Sequence, residues 1–425
     1  MKRYLTGMDW VVNTLDYTAK AQSGIGNHSA VILEFKKSPH PKALETLLNN
    51  FTQKFPLLNG YPSRAMNLCP YWKVPFGEKA LPLRIKIIKL ESHSLYLELL
   101  GAQVNTALQN IREHLVFTLI ESKNNAFLSM TFDHRILDAK GAEDFLYLLQ
   151  QHDEHKTTLQ NFSSSPQLNN WKEKLLAGRQ VNRFLLNFTK VPPRIIPFRS
   201  LNDPCKFKVV CLNAAQTEHF TNSAYTQAGY LMFLPYALAK SIQIMHQIFQ
   251  EKNIPGSIYL IPVPIDRRAK EATQKETFFN HFSFFLFKID AAKIDNLGEL
   301  LTEIKQQMYT QVKNRLPEAI VNASFLLRIA TLPIANFFLK LMSKKHFASF
   351  SFSYLNNAHQ PDKLLEEKVE NIFHLPRMPK PPGIGIFFNQ FENKLNITLS
   401  YFDDLLNEAQ ANQVTASLEA LGNEN

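Results

Sequence analysis

Two apolar runs, His114–Ile120 and Ala126–Phe132, are separated by the polar stretch Glu121-Ser122-Lys123-Asn124-Asn125. Both are rich in β-branched and aromatic residues, so they read as the strands of a hairpin. The second run leads straight into Thr131-Phe132-Asp133-His134-Arg135-Ile136-Leu137-Asp138-Ala139-Lys140-Gly141, and Phe145, Leu148 and Leu149 then fall at helical spacing up to Gln151. A strand therefore gives way to a helix within a few residues, which constrains the chain to a sheet covered by helices. It also puts a histidine and an aspartate, four residues apart, on a loop held by a sheet end. Loops of that kind commonly carry catalytic groups. An imidazole with an ordinary pKa of about 6.5 can take a proton near neutral pH and return it. Asp138 is close enough in sequence to help fix the His134 loop, directly or through an arginine. A His-x-x-x-Asp pattern alone is equally compatible with a loop histidine that does no chemistry.

At 425 residues the chain is long for one core and suits two lobes of about 200 residues each. The first is expected over residues 1–190, a proline-containing linker over 191–205, and the second over 206–425. The first holds the alternating strand Leu83–Ile87 and a helix Trp171–Leu186. In the second, Phe207, Val209 and Cys211 alternate. Leu231, Leu234, Leu238, Ile242, Met245 and Ile248 recur at helical spacing, with a kink expected near Pro235. Ser257–Ile265 is apolar enough for a central strand, and Asn296–Lys313 is an amphipathic helix. His374–Pro382 holds four prolines and reads as a surface crossover, and Leu395–Tyr401 alternates before Asp403-Asp404 opens the last helix.

Net charge is +10, which favours anionic partners. Neither zinc-ligand spacing nor an aromatic RNA-binding signature accompanies it, so nucleic acid is not expected. The run His152–His155 reads as a solvated helix end, and no metal site is expected. Three cysteines, Cys69, Cys205 and Cys211, form no C-x-x-C pair, and no signal peptide is apparent; a reducing, cytoplasmic setting is expected. No stretch is long and apolar enough to span a bilayer. The nearest, Phe325–Met342, is interrupted by Arg328, Pro333, Asn336 and Lys340 and is followed by Lys344-Lys345-His346. It fits a core helix, a tunnel wall or a helix lying in a membrane interface.

The His134 stretch resembles the H-x-x-x-D-G signature of the CoA-dependent acyltransferase superfamily. That superfamily includes chloramphenicol acetyltransferase, the dihydrolipoamide acyltransferases, the condensation domains of nonribosomal peptide synthetases, wax ester synthases and alcohol acyltransferases. Further elements are similar in the same order: Leu5-Thr6-Gly7-Met8-Asp9-Trp10, Phe55-Pro56-Leu57-Leu58-Asn59-Gly60, Ile261–Arg268, Asn280–Phe287, Ser349–Asn357 and Leu395–Leu406. The chain departs from the pattern at four places. Asp133 stands where many relatives have a first histidine, giving the D-H-R form of the dihydrolipoamide acyltransferases. Ala139 replaces the glycine after the aspartate, Phe279 the glycine before Asn280, and Tyr354 and Asn356 the asparagine and glycine of "S-N-x-G".

The resemblance implies an α/β fold of two chloramphenicol acetyltransferase-like lobes. Each is a mixed sheet flanked by helices, with an active-site tunnel between them. It implies an acyl group moving from a CoA or carrier-protein thioester to a hydroxyl or amine of a small-molecule or lipid acceptor. His134 is then the general base. Asp138 holds the loop by pairing with an arginine, Arg268 rather than Arg267 on alignment. Asn280 lines the tunnel, and Ser351, Ser353 and Tyr354 are candidate donors to an oxyanion. No cofactor is permanently bound; the acyl-CoA or acyl carrier thioester is a co-substrate. Such proteins are monomers, here cytoplasmic with peripheral membrane contact as an option. The lost glycines and Tyr354 fit an alternative, a catalytically silent binding or docking module.

Overall fold

The computed structural model describes residues 2–75, 83–91, 95–151, 170–268, 276–342, 348–356 and 362–423. Its largest sheet has six strands in the order Lys363–Leu364, Glu367–Pro376, His28–Phe35, Ala126–Asp133, Leu115–Glu121 and Arg84–Lys89. The expected hairpin is its centre: Ala126–Asp133 runs antiparallel to Leu115–Glu121, closed by Ser122 N–H donating to the Asn125 carbonyl at 2.9 Å. Arg84–Lys89 joins as a parallel edge.

Strand His28–Phe35 is apolar almost throughout because both of its faces are covered. Val31, Leu33 and Phe35 share a core with Leu44, Leu48, Phe145 and Leu149 of helices Pro41–Gln53 and Ala139–Gln151. Ala30 and Ile32 share another with Phe207, Val210 and Ile386 of the second half. One face of this sheet thus packs on its own helices and the other on the opposite lobe, as the two-residue side-chain period of a strand allows.

The second lobe has a four-stranded sheet, Ser351–Leu355, Gly385–Phe391, Lys394–Tyr401 and Lys206–Leu212. Beside it lies the antiparallel pair Ile258–Asp266 and Phe282–Asp290. Ser349 N–H donates to the Leu260 carbonyl at 2.7 Å and ties the two together. Residues 374–376 are not part of a surface loop. They end strand Glu367–Pro376, which crosses the seam and pairs with His28–Phe35, so the late part of the chain completes the early sheet.

Other expectations shift for local reasons. The helix expected from Leu231 starts at Phe233, and Leu231 itself is exposed with a left-handed φ of 59°. Pro235 then lies in the first turn, where a missing N–H costs nothing, so no kink follows. The apolar run 325–342 is two helices, Leu316–Leu327 and Leu332–Met342. The last helix is Glu408–Ala420, opened by an Asn407–Gln410 capping box and not by Asp403-Asp404. Asp404 instead accepts N–H bonds from Arg199 (2.8 Å) and Ser200 (3.2 Å) and pairs with Lys380 (2.9 Å), fastening the segment between the lobes. No helix among the described residues is long and apolar enough to cross a membrane.

Candidate active site

His134 follows the last residue of strand Ala126–Asp133. Its own N–H donates to the Asn27 carbonyl at 3.0 Å. The neighbours on either side are locked. Asp133 is fully buried and accepts from Arg135 through Nε (2.9 Å) and Nη2 (2.5 Å), and it contacts His114 Nδ1 at 3.0 Å. Arg135 also reaches Asp16 at 3.4 Å. Burial opposes ionisation of Asp133, but the Arg135 guanidinium and His114 outweigh it and hold the carboxyl well below the usual range. The Asp-His-Arg triplet therefore builds a clamp across the histidine, and Asp133 itself is in no position to react.

Downstream, Asp138 caps helix Ala139–Gln151. Its Oδ1 accepts the Gly141 N–H at 2.7 Å, and the Ala142 N–H donates to its carbonyl at 2.9 Å. The same carboxylate reaches into the second half of the chain. Arg268 Nη2 donates to Oδ1 at 2.7 Å and the His281 N–H to Oδ2 at 2.9 Å. Arg268 is held in turn by Asp266 (2.9 Å) and the Glu276 carbonyl (2.8 Å). Burial pushes the Asp138 pKa up, but Arg268 and the two N–H donors bring it below its ordinary value. Ala139, in place of a glycine, sits at the first helical position without a left-handed φ, so alanine fits there. Gly141 is the glycine that matters: a Cβ on it would lie 2.2 Å from the Thr277 carbonyl oxygen. Its lack of a side chain lets the segment before Asn280 approach the loop.

That approach is continued by backbone. The Phe279 N–H donates to the Ile136 carbonyl at 2.6 Å, and Leu137 and Phe279 form a parallel bridge. Phe279 has a left-handed φ of 72°, a conformation glycine adopts freely and a bulky residue resists by roughly 1–2 kcal/mol. Its ring is fixed by the Arg3 guanidinium 3.4 Å from the centroid and by an edge contact with Trp72 at 5.6 Å. Packing of this kind offsets the strain.

Asn280 completes the enclosure. Its Nδ2 donates to the His134 carbonyl at 3.1 Å, and its backbone N–H donates to Asp9 Oδ1 at 3.0 Å. Asp9 also closes the capping box with Thr6 at the start of helix Gly7–Ser23. Asp9 and Gly141 carry roles that residue-by-residue reading missed, although both lie in stretches whose order had marked them.

The His134 side chain is enclosed by protein yet keeps some exposed surface. Its Nδ1 is buried without a hydrogen-bond partner among the described residues, as is Asn280 Oδ1. Burial lowers the His134 pKa and the nearby Asp138 and Asp133 carboxylates only partly restore it, so the imidazole is neutral near pH 7.

His134, Asp138, Arg268 and Asn280 thus form one assembly. Ser353 and Tyr354 lie apart from it on strand Ser351–Leu355, and among the described residues no hydrogen bond joins them to the His134 loop. The Tyr354 ring stacks on Phe233 at 4.6 Å, against the core of the second lobe, and burial raises its pKa to about 12. Ser353, next along the strand, takes the opposite face. Residues 152–155 lie outside the described residues. Among those described, no group of His, Cys, Asp and Glu is arranged to hold a metal ion.

The arrangement is that of a two-lobed condensation-type fold. No family model matches the sequence, and no curated relative matches it. Solved structures do match over nearly the whole chain. The first condensation domain of the CDA synthetase superposes with a TM-score of 0.70 at 11% identity, covering 100% of this chain and 97% of that one. Trichothecene 15-O-acetyltransferase from Fusarium sporotrichioides gives 0.68 at 11%, covering 99% and 95%. The wax ester synthase/diacylglycerol acyltransferase from Marinobacter aquaeolei VT8 gives 0.63 at 15%, covering 99% and 100%. The chain therefore has the fold shared by these condensation domains and acyltransferases.

Proposed function

We propose that the protein is an acyltransferase. It moves an acyl group from a CoA or carrier-protein thioester to a hydroxyl or amine acceptor, with His134 as general base. The observation that carries this reading is a partly exposed imidazole whose loop is anchored to the opposite lobe by Asp138 and Arg268. Such a base accepts the acceptor proton as the oxygen or nitrogen attacks the thioester carbonyl. A tetrahedral oxyanion forms. Its collapse breaks the carbon–sulfur bond, and the imidazolium returns the proton to the departing thiolate. Tyr354 is taken up by packing, so an oxyanion donor from strand Ser351–Leu355 would fall to Ser351 or Ser353. Asp138 and Arg268 hold the His134 loop without touching the reacting atoms, and Asn280 steadies the His134 backbone. The net charge of +10 suits the phosphates of CoA or an acidic carrier protein.

The test is thiol release from acyl-CoAs of increasing chain length, with alcohol and amine acceptors, for wild type and His134→Ala. Loss of the base should lower turnover by about 10²- to 10⁴-fold without shifting the melting temperature. Equal thiol release by the two proteins across all donors and acceptors would end the proposal and leave a silent docking module in its place.

A further inference from the structure

Arg328 follows the last turn of helix Leu316–Leu327 and is buried, with 4% of its surface exposed. Its backbone carbonyl accepts from Arg64 Nη2 at 3.0 Å. Its guanidinium lies 5.2 Å from the centre of the Phe325 ring, and among the described residues Nε and Nη2 have no hydrogen-bond partner. Those two nitrogens form the forked edge of an arginine. Arg135 turns the same edge onto Asp133, and Arg84 turns it onto Glu113. A buried guanidinium without an acceptor for that fork is costly, because the charge has left water and gained no partner. Burial accordingly lowers the Arg328 pKa, and Cys69, Asp9 and Tyr4 oppose it only in part.

The surroundings add positive charge and little negative. Lys174, on helix Trp171–Phe188, is also buried and holds Nζ 4.8 Å from the centre of the same Phe325 ring. Two cations thus share one neutral ring, and Arg328 adds to burial in lowering the Lys174 pKa against Glu173. Asp9 is the one carboxylate among the described residues that acts on Arg328. Its oxygens already accept the Thr6 and Asn280 N–H groups. Asp9 is shared, moreover, with Arg3, whose Nη1 lies 3.7 Å away without a hydrogen bond among the described residues. Helix Leu316–Leu327 is pressed onto its neighbours at two glycines: a Cβ on Gly7 would lie 2.1 Å from Ser324 Oγ, and one on Gly178 2.9 Å from Leu326 Cδ1. Every residue from Ile320 to Leu327 nonetheless keeps part of its surface exposed, so the approach to Arg328 along this helix is open.

We propose that Arg328 is the core of a phosphate-binding site. Nε and Nη2 grip two oxygens of a phosphate dianion, and Lys174 supplies the second positive charge. A carboxylate would fill the fork but balance only one of the two cations. Free phosphate and the 3′-phosphate of CoA share this chemistry. Assigning the group to CoA rests on the acyl-transfer reading; the site itself does not.

Calorimetric titration of the full chain with CoA, dephospho-CoA and inorganic phosphate tests it, on wild type, Arg328→Met and Arg328→Lys. Arg328→Met should weaken phosphate-dependent binding by at least about tenfold, and Arg328→Lys by about fivefold, since an ammonium keeps the charge and loses the fork. Without ligand, Arg328→Met should melt no lower than wild type, because it removes a buried charge that has no protein acceptor. A preference for CoA over dephospho-CoA that disappears in Arg328→Met gives the site to the 3′-phosphate. Equal binding of those two, with inorganic phosphate bound in an Arg328-dependent way, gives it to free phosphate. Wild type that binds none of the three, or that binds them no better than both variants, overturns the proposal. His134→Ala should bind all three as wild type does while losing turnover, so the phosphate site and the acyl-transfer reading can each fail alone.

Discussion

Two carboxylates flank His134, and they are satisfied in different ways. Asp133 finds its guanidinium two residues along the chain, in Arg135, and that clamp closes inside the first lobe. Asp138 finds its own 130 residues away, in Arg268, and can do so only once the two halves have met. The first is a condition for the strand end to form at all. The second ties the histidine loop to the lobe that would hold the rest of a substrate. Stability should therefore report on Asp133 and turnover on Asp138.

After loss of the base itself, the largest effect is expected at Asp133. Asp133→Ala leaves Arg135 buried beside Asp16 alone and should cost about 3–5 kcal/mol, read as a fall in denaturation midpoint. Removing Arg135 as well should recover part of that, because the orphaned charge goes with it. If Asp133→Ala melts like wild type, the clamp is not structural and the contrast fails.

A smaller effect belongs to His28, directly across the sheet from Asp133. Both its ring nitrogens are buried without hydrogen-bond partners among the described residues, and burial, only partly countered by Asp133 and Asp16, lowers its pKa from 6.5 to about 4. The folded pKa lies below the unfolded one, so the unfolded chain binds more protons between those values. The stability held above pH 6.5 is then lost as pH falls toward 4, by about 3 kcal/mol in all. Denaturant midpoints measured down that range should fall for wild type and fall much less for His28→Leu. Parallel slopes for the two proteins would remove His28 from the account.

Much of this was legible in the sequence because it is local or ordered. The hairpin and the strand-to-helix switch at His134 follow from periodicity, whereas the Asp138–Arg268 pairing, 130 residues apart, was implied only by the resemblance to the acyltransferase family. What was not legible depends on contacts between distant segments. Residues 374–376 read as a proline-rich crossover because nothing in them announces pairing with Val31, Ala30 and Ser29. Phe279 looked like a lost glycine, yet it keeps the glycine backbone conformation under a ring held by Arg3 and Trp72. Tyr354 looked like a substitute donor until Phe233, more than a hundred residues earlier, proved to be its stacking partner. Local patterns name elements; they do not say which face a neighbour will cover.

The smallest expected effect sharpens the contrast most. Asn is as good a helix cap as Asp, so Asp138→Asn should leave helix Ala139–Gln151 and the melting temperature nearly unchanged. It does set an amide N–H₂ against either the His281 N–H or the Arg268 guanidinium, both of which now donate to the carboxylate. The cross-seam anchor loosens, and turnover should fall by about tenfold with little change in KM. Arg268→Lys should do the same, since one ammonium cannot reach Asp138, Asp266 and the Glu276 carbonyl together. The pH profile separates a positioning role from mere damage. Asp138 raises the His134 pKa against the lowering by burial, so removing its charge should move the acidic limb of kcat/KM to lower pH. A limb that stays in place while turnover falls would mean the carboxylate acts on geometry alone. A loss of stability as large as that of Asp133→Ala would mean the two clamps differ only in where their partners sit along the chain.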